Sequence, residues 1–422
     1  MLYSLFIPVI AGFLAAATAW GVGSADLANI LSTSIGSKAI KLNIIILIAI
    51  IFEFSGAFFG GSHVSHTLHH DIINLSLLQN RTTITIAMLS ISAAAASWML
   101  IASGAGLPAS ITNAIVGSLV GFGCVVFGTA AVHWHKIFHI MISWIFSPIS
   151  CAIFSYLLFS SIQRLILRQI HPERYIKRYF PIYCFVVGLI FSYMMINKIF
   201  DHFNWLINYP HFSWLSSIIS GLFLTILGVF IGRKDAQPST HDRRAGFDFV
   251  EKKFGILLAF TLCAMVFAHG SNDVPIAVAP FNIIMHTIST LPSDYLNQNL
   301  AKYSLSLGSL SVILGFLFYG RRVIHTVGSG ITSLTPSRAF SATIATAVIV
   351  IFSTSAGIPI SVTQTLVGGI LGVGLARGIG ALNLTVVRNI FLSWFITIPA
   401  TSLLSIIYFY LIKYLTYHLP PL

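Results

Sequence analysis

Long, uninterrupted apolar runs are the feature that most restricts how this chain can fold. They recur along the whole sequence, and examples are residues 42–60, 84–101, 180–200, 213–231, 301–319 and 339–353. About 20 apolar residues in a helix cross a bilayer. Only 8% of the 422 residues are charged, against about a quarter in soluble domains. Because the runs are continuous rather than alternating, they favour helices over a β-barrel. The sequence predicts an all-α polytopic membrane protein with about 10–12 membrane elements.

The basic residues predict the orientation of these elements. They cluster in residues 163–179 and 232–255, while the intervening segment 201–212 has no Lys or Arg. Lys and Arg concentrate on the cytoplasmic side of membrane proteins, so both clusters are expected inside and the N-terminus outside. The net charge of +12 therefore reflects topology, and no nucleic-acid partner is predicted. We expect a multi-pass protein of the plasma or inner membrane.

The chain contains an internal repeat. Residues 106–123, GLPASITNAIVGSLVGFG, match 357–374, GIPISVTQTLVGGILGVG, at an offset of 251 residues (361 minus 110). Gly23–Asp26 matches Gly270–Asp273 at an offset of 247 (273 minus 26). The predicted topology places the two copies in opposite orientations. Inverted repeats with broken helices and re-entrant hairpins are typical of secondary transporters. The sequence thus predicts a first repeat with its following span in 1–161, connecting spans in 162–253 and a second repeat in 254–422.

Three acids lie within apolar runs: Asp26, Glu53 and Asp273. Intramembrane acids usually face a cavity and carry function, so we predict that they bind a coupling cation. Each aspartate follows a Gly-Ser pair, which is expected to break its helix.

The repeated Pro-x-Ser-x-Thr elements carry a second kind of chemistry. They place Ser110 and Thr112 in one half and Ser361 and Thr363 in the other. Hydroxyls beside the free amides of a helix N-terminus form an anion site. Two such sites facing each other suit a small tetrahedral oxyanion. A cation held between the anion and the aspartates would reduce the repulsion between their negative charges. Such an arrangement would bind a cation and an anion together, as cation–anion symport requires.

These segments resemble the inorganic phosphate transporter (phosphate permease) family. The resemblance rests on GSADLANILSTSIGSKAI (23–40), AHGSNDVPIAVAPF (268–281), GLPASITN (106–113) and GIPISVTQ (357–364), and it covers nearly the whole chain. It implies phosphate transport, two inverted repeats and a homodimer. The resemblance assigns binding roles to the residues that match its motifs: Asp26, Asn29, Ser110, Thr112, Asn272, Asp273, Ser361 and Thr363.

The sequence also departs from the family pattern. Asn113 and Gln364 replace the histidines that end the family's hairpin motifs, and we place both in the predicted substrate site. Ala25 stands where the second half has Asn272, and Ile276 stands where the first half has Asn29. Each half has thus lost one amide while both aspartates remain. Because sodium prefers several oxygen ligands whereas a proton needs one carboxylate, the sequence favours proton coupling slightly over sodium.

Alternatives remain open from the sequence. Sulfate is also tetrahedral, although it cannot donate a hydrogen bond to a carboxylate as protonated phosphate can. An intramembrane aspartyl protease would need two adjacent aspartates sharing a proton, and it would not explain the duplicated hairpins. We therefore predict a transporter without catalytic residues or a cofactor. We interpret the histidines of 63–70 and 133–139 as interface residues rather than metal ligands.

Overall fold

The computed structural model describes residues 2–60, 80–202, 210–233, 243–288, 293–355 and 360–418. Within these ranges the regular structure is entirely helical, as expected where lipid offers no partner to an unpaired backbone amide or carbonyl. Eight described helices are long and apolar enough to cross a membrane, and three shorter apolar helices accompany them. These eleven elements agree with the number predicted from the sequence.

The first half, with the spans that follow it, contains these helices: α1 (Leu2–Val22), α2 (Ala28–Gly36), α3 (Leu42–Gly60), α4 (Arg81–Gly104), α5 (Ile111–Val126), α6 (Trp134–Ile162), α7 (Pro172–His202) and α8 (Pro210–Arg233). The second half contains α9 (Arg243–Ile288), α10 (Ser293–Tyr319), α11 (Arg321–His325), α12 (Pro336–Ser355), α13 (Val362–Arg377) and α14 (Leu384–His418).

The sequence repeat reappears as a repeat of elements. Helices α5 and α13 are both 16 residues long. Each is followed by a glycine of positive φ, Gly128 (83°) or Gly378 (108°), and then by a short 3₁₀ turn and a long helix. Residues other than glycine rarely adopt such φ values. A 16-residue helix spans only ~24 Å, less than the ~30 Å hydrocarbon core, which suits the predicted re-entrant hairpins.

The two halves interlock through these hairpin helices. Helix α5 packs against α14, and α13 packs against α6. The contacts are made through matched glycines. A Cβ on Gly117 would overlap Ile398 and Thr401, and one on Gly368 would overlap Pro148. Hydroxyls reinforce the same contacts, since Ser402 donates to Gly117 O (2.7 Å) and Ser155 donates to Gly369 O (2.8 Å). Close approach of helices through small residues is characteristic of membrane proteins.

At the aspartates, where helix breaks were predicted, one half shows a change of helix type within a continuous helix from Phe6 to Gly36, and the other half shows no change. A π-helical turn, Gly23–Leu27, separates α1 from α2 and carries Asp26. In the second half the prediction is wrong, because α9 continues as an α-helix through Asp273. Gly270 lies where α3 crosses α9, and a Cβ there would overlap the Glu53 carbonyl oxygen. This glycine therefore permits close helix packing rather than interrupting the helix.

Candidate functional site

Asp26 lies between the N-termini of the two hairpin helices. Its Oδ2 accepts a hydrogen bond from the backbone amide of Ile111, the first residue of α5, at 3.1 Å. Its Oδ1 accepts a hydrogen bond from the Thr363 hydroxyl in the first turn of α13. The side chain is almost completely buried, with 1% of its surface exposed. One carboxylate from the first half thus joins both anion-binding helix ends predicted from the sequence.

Asn29 extends this contact by one helical turn. It lies on α2, and its Nδ2 donates to the carbonyl oxygen of Thr363 at 3.4 Å. The predicted cation ligands Asp26 and Asn29 are therefore brought together with the predicted substrate ligand Thr363. Because these contacts connect residues more than 330 positions apart, the site is assembled from both halves of the chain.

The two serines that begin the hairpin helices make different contacts. Ser361 caps α13, and its Oγ accepts from the backbone amide of Gln364 at 3.2 Å. Ser110 occupies the same capping position of α5, but its side chain makes no capping hydrogen bond there. Both are buried, with exposures of 0% and 2%. The helix ends predicted from the Pro-x-Ser-x-Thr elements are present, but they are not equivalent.

Several buried oxygens around Asp26 have no hydrogen-bond partner among the residues that the structure describes. They belong to side chains on α2 and in the first turns of α5 and α13: Asn29 Oδ1, Thr112 Oγ1, Asn113 Oδ1 and Gln364 Oε1. A buried polar group without a partner costs free energy of about 1–3 kcal/mol. A site containing several such oxygens can therefore bind a ligand that provides their partners, such as a cation or a hydrogen-bond donor.

A second polar cluster connects α3 to α9. Glu53 is bidentate on His269, with Oε1 at 2.8 Å and Oε2 at 3.0 Å from Nδ1. The opposite ring nitrogen, Nε2, lies 3.2 Å from Asp273 Oδ2. The angle of this second contact falls outside hydrogen-bond geometry, so we treat it as an electrostatic contact. All three residues are buried.

Asn272 belongs to this second cluster through its neighbour. Its Nδ2 donates to Asp273 Oδ1 at 2.7 Å. Asp273 and His269 in turn lie within electrostatic range of Asp26. The two clusters therefore form one polar region that contains all the predicted cation ligands.

His269 was not predicted from the sequence as a site residue. It lies four residues before Asp273 in AHGSNDV, so the two residues share one face of a helix. That spacing could have indicated the contact between His269 and Asp273. The contact of His269 with Glu53, 216 positions away, had no local signal in the sequence.

The model of the phosphate transporter family matches residues 22–405. The chain belongs to the phosphate transporter family. It is 37% identical over 413 residues to a protein of Haemophilus influenzae named "Putative phosphate permease", covering 97% of this chain and 96% of that protein. A protein of the same name in Chlamydia trachomatis is 35% identical, with coverages of 96% and 97%.

A solved structure agrees with this membership. It is described as "The sodium-dependent phosphate transporter", superposes with a TM-score of 0.85 and is 33% identical, covering 97% of this chain and 99% of that one. The fold is therefore that of a phosphate transporter. Phosphate is the substrate of the family, and the protein is a multi-pass membrane protein. Because the family and the relatives are transporters and permeases, the aspartyl protease alternative is excluded.

Proposed function

We propose that this phosphate transporter family member is a symporter that imports inorganic phosphate together with sodium. The observation that carries the proposal is the position of Asp26, whose carboxylate accepts hydrogen bonds from the first turns of both hairpin helices. The site residues named above are part of this proposal, with Asp26, Asn29, Glu53 and Asp273 on the cation side. The substrate side comprises Ser110, Thr112, Asn113, Asn272, Ser361, Thr363 and Gln364.

The geometry suggests how cation and anion binding are coupled. The Ile111 amide and the Thr363 hydroxyl are donors of the kind a phosphate oxygen requires, and both are directed at Asp26. Phosphate and the carboxylate therefore compete for the same donors. A cation bound to Asp26 would neutralise the carboxylate and weaken its hold on them. Phosphate could then take the two helix N-termini.

Phosphate fits this site better than sulfate for a chemical reason. At neutral pH phosphate carries at least one proton and donates a hydrogen bond, whereas sulfate is fully ionised. Asn113 Oδ1 and Gln364 Oε1 are buried acceptors without partners in the described part of the chain. These acceptors would bind a protonated phosphate and would repel sulfate.

Sodium is our preferred coupling ion. It is a hard cation, and such cations take several oxygen ligands. Asn29 Oδ1 and Thr112 Oγ1 are buried and unpartnered within the described residues, and Asp26 supplies a carboxylate beside them. A solved structure that is 33% identical is described as sodium-dependent. These oxygens can serve as sodium ligands in place of the amide side chains that are absent at Ala25 and Ile276. The absence of those two amides was the reason why the sequence favoured proton coupling.

Proton coupling remains the second candidate, and a specific observation favours it. Glu53, His269 and Asp273 form a buried acid–histidine–acid series, and histidine titrates near neutral pH in water. We further propose that the protein acts in the plasma or inner membrane, with its N-terminus outside, and that it is a homodimer, as the family resemblance implies.

Uptake of radiolabelled phosphate into proteoliposomes would test the proposal. Sodium is replaced by choline at fixed pH, and a pH gradient is then imposed in choline. We expect accumulation that requires the sodium gradient and resists competition by excess sulfate. Asp248→Asn, at an exposed acid on the N-terminal part of α9, serves as a control with normal uptake. Accumulation driven by the pH gradient in choline would establish the proton instead, and uptake without any gradient dependence would contradict symport.

A further inference from the structure

Two exposed histidines, neither of them part of the proposed transport site, approach each other on the first turns of α6. The Nε2 atoms of His135 and His139 are 3.2 Å apart, and their ring centroids are 4.4 Å apart. Both side chains are exposed, while Ile137 and Ile140 bury the opposite face of the helix. The pair therefore lies on the protein surface, with its ring nitrogens directed at one another.

This separation matches the requirement of a shared metal ion. Zinc binds histidine nitrogen at about 2.0–2.1 Å. Two such nitrogens at right angles around one ion are about 2.9 Å apart, and at a tetrahedral angle they are about 3.4 Å apart, on the same bond lengths. The observed 3.2 Å lies between these values. An i, i+4 pair on one helix face is also the arrangement that helical zinc-binding motifs use.

The surroundings indicate which metals would bind. No third histidine, cysteine or carboxylate joins the pair within the described ranges, so solvent must complete the coordination. Imidazole ligands suit Zn²⁺, Cu²⁺ and Ni²⁺, and copper binds most tightly in that series. Mg²⁺ and Ca²⁺ require oxygen ligands, and two imidazole rings supply none, so these ions are not expected to bind.

The repeat provides an internal comparison. Helix α14 begins in the same way as α6, after a 3₁₀ turn, and an offset of 250 residues (384 minus 134) relates their first residues. Thr385 and Asn389 occupy the positions that correspond to His135 and His139, and both are exposed. The second half thus presents the same helical surface without the ligands.

The sequence alone favoured interface residues over metal ligands in 133–139, but the 3.2 Å approach of the two Nε2 atoms changes that interpretation. We propose that His135 and His139 form a surface site for a divalent first-row transition metal, bound through both Nε2 atoms. Bound metal would fix the first two turns of α6. That segment follows the 3₁₀ turn Thr129–Ala131, to which it is also tied by the Trp134 indole donating to Thr129 O at 2.8 Å. The site is independent of the proposed transport function.

Metal titration of tag-free protein in detergent tests the site. Cu²⁺ binding is followed by electron paramagnetic resonance, which detects coordinated imidazole nitrogens, and Zn²⁺ binding by the rise in thermal unfolding temperature that a ligand of the folded state produces. The variants are His135→Ala and His139→Ala, singly and together. His286→Ala serves as the control, since His286 is exposed on α9.

We expect each single variant to weaken copper binding at least about tenfold, because removing even an outer-shell partner of a metal ligand lowers metal affinity by that factor. His286→Ala should bind as the unaltered protein does. The double variant T385H/N389H should gain a second site of similar affinity on α14. Unchanged copper affinity in both single variants, or no metal binding by the unaltered protein, would overturn the proposal.

Discussion

At the residue scale, Ser110 and Ser361 begin equivalent helices but make different contacts. Ser361 caps α13, whereas the Ser110 hydroxyl makes no capping hydrogen bond; in the proposed function, that hydroxyl binds phosphate. Ser361→Ala should therefore lower the free energy of unfolding by about 1 kcal/mol, the usual cost of a lost N-cap. Ser110→Ala should leave stability nearly unchanged and weaken phosphate binding by about tenfold or more, as expected for a lost hydrogen bond to a charged group. Thermal unfolding in detergent and the KM of uptake separate the two effects. Equal loss of stability in both variants would contradict this assignment.

The coupling of His269 to its two neighbouring acids can also be tested by substitution. Because it contacts both Glu53 and Asp273, His269→Ala would leave two buried acids without their shared partner. Breaking a buried charge pair costs about 3–5 kcal/mol. Adding Glu53→Gln to His269→Ala removes one of the two acids, so the double variant should be more stable than His269→Ala alone while uptake stays impaired. A double-mutant cycle from thermal unfolding measures this coupling. If the two substitutions were simply additive, Glu53 and His269 would not be coupled.

At the scale of elements, the hairpin helices depend on glycines at their crossings. A Cβ on Gly117 or Gly368 would overlap the helix from the other half, whereas a Cβ on Gly12 would lie 3.7 Å from Phe281, an ordinary contact. Gly117→Ala and Gly368→Ala should both reduce the yield of folded protein and the unfolding temperature. Gly12→Ala should be neutral or slightly stabilising, because alanine favours helix by about 1 kcal/mol. Size-exclusion profiles of the three variants would show the difference, and normal folding of Gly368→Ala would disprove the packing role.

Helix ends were predictable from the sequence because their signals are local. The Ser-x-Thr pattern after Pro108 indicated where α5 begins, and its repeat at Ser361 indicated α13; residues 357–359 of that second element, like the histidines of 63–70, lie outside the described residues. Contacts between distant elements had no such signal. The sequence favoured a break at Gly270, because glycine lowers helix propensity in isolation. Only the approach of α3 shows that this glycine serves helix packing.

At the scale of the whole molecule, the opposite orientation of the two halves is still a prediction. In the expected topology, the segment that follows α2 and the segment that follows α11 lie on the cytoplasmic side, and the segment between α5 and α6 lies outside. Cysteines introduced at Ser37, Ser329 and Thr129, in a background without the four native cysteines, report these positions. We expect an impermeant thiol reagent applied to intact cells to modify only Thr129→Cys. Modification of all three, or of Ser37→Cys alone, would contradict the inverted arrangement.

In the proposed mechanism, Asp26 couples cation binding to phosphate binding at the two hairpin N-termini. Equilibrium binding of radiolabelled phosphate to purified protein, in sodium and in choline, measures this coupling directly. Since coupling between two ligands is reciprocal, sodium should tighten phosphate binding, and phosphate should tighten sodium binding by the same factor. Asp26→Asn should keep its fold and lose this dependence, since the amide no longer binds the cation, while Asp248→Asn should retain it. Equal phosphate affinity in sodium and in choline, or full sodium dependence in Asp26→Asn, would show that Asp26 does not couple the two ligands.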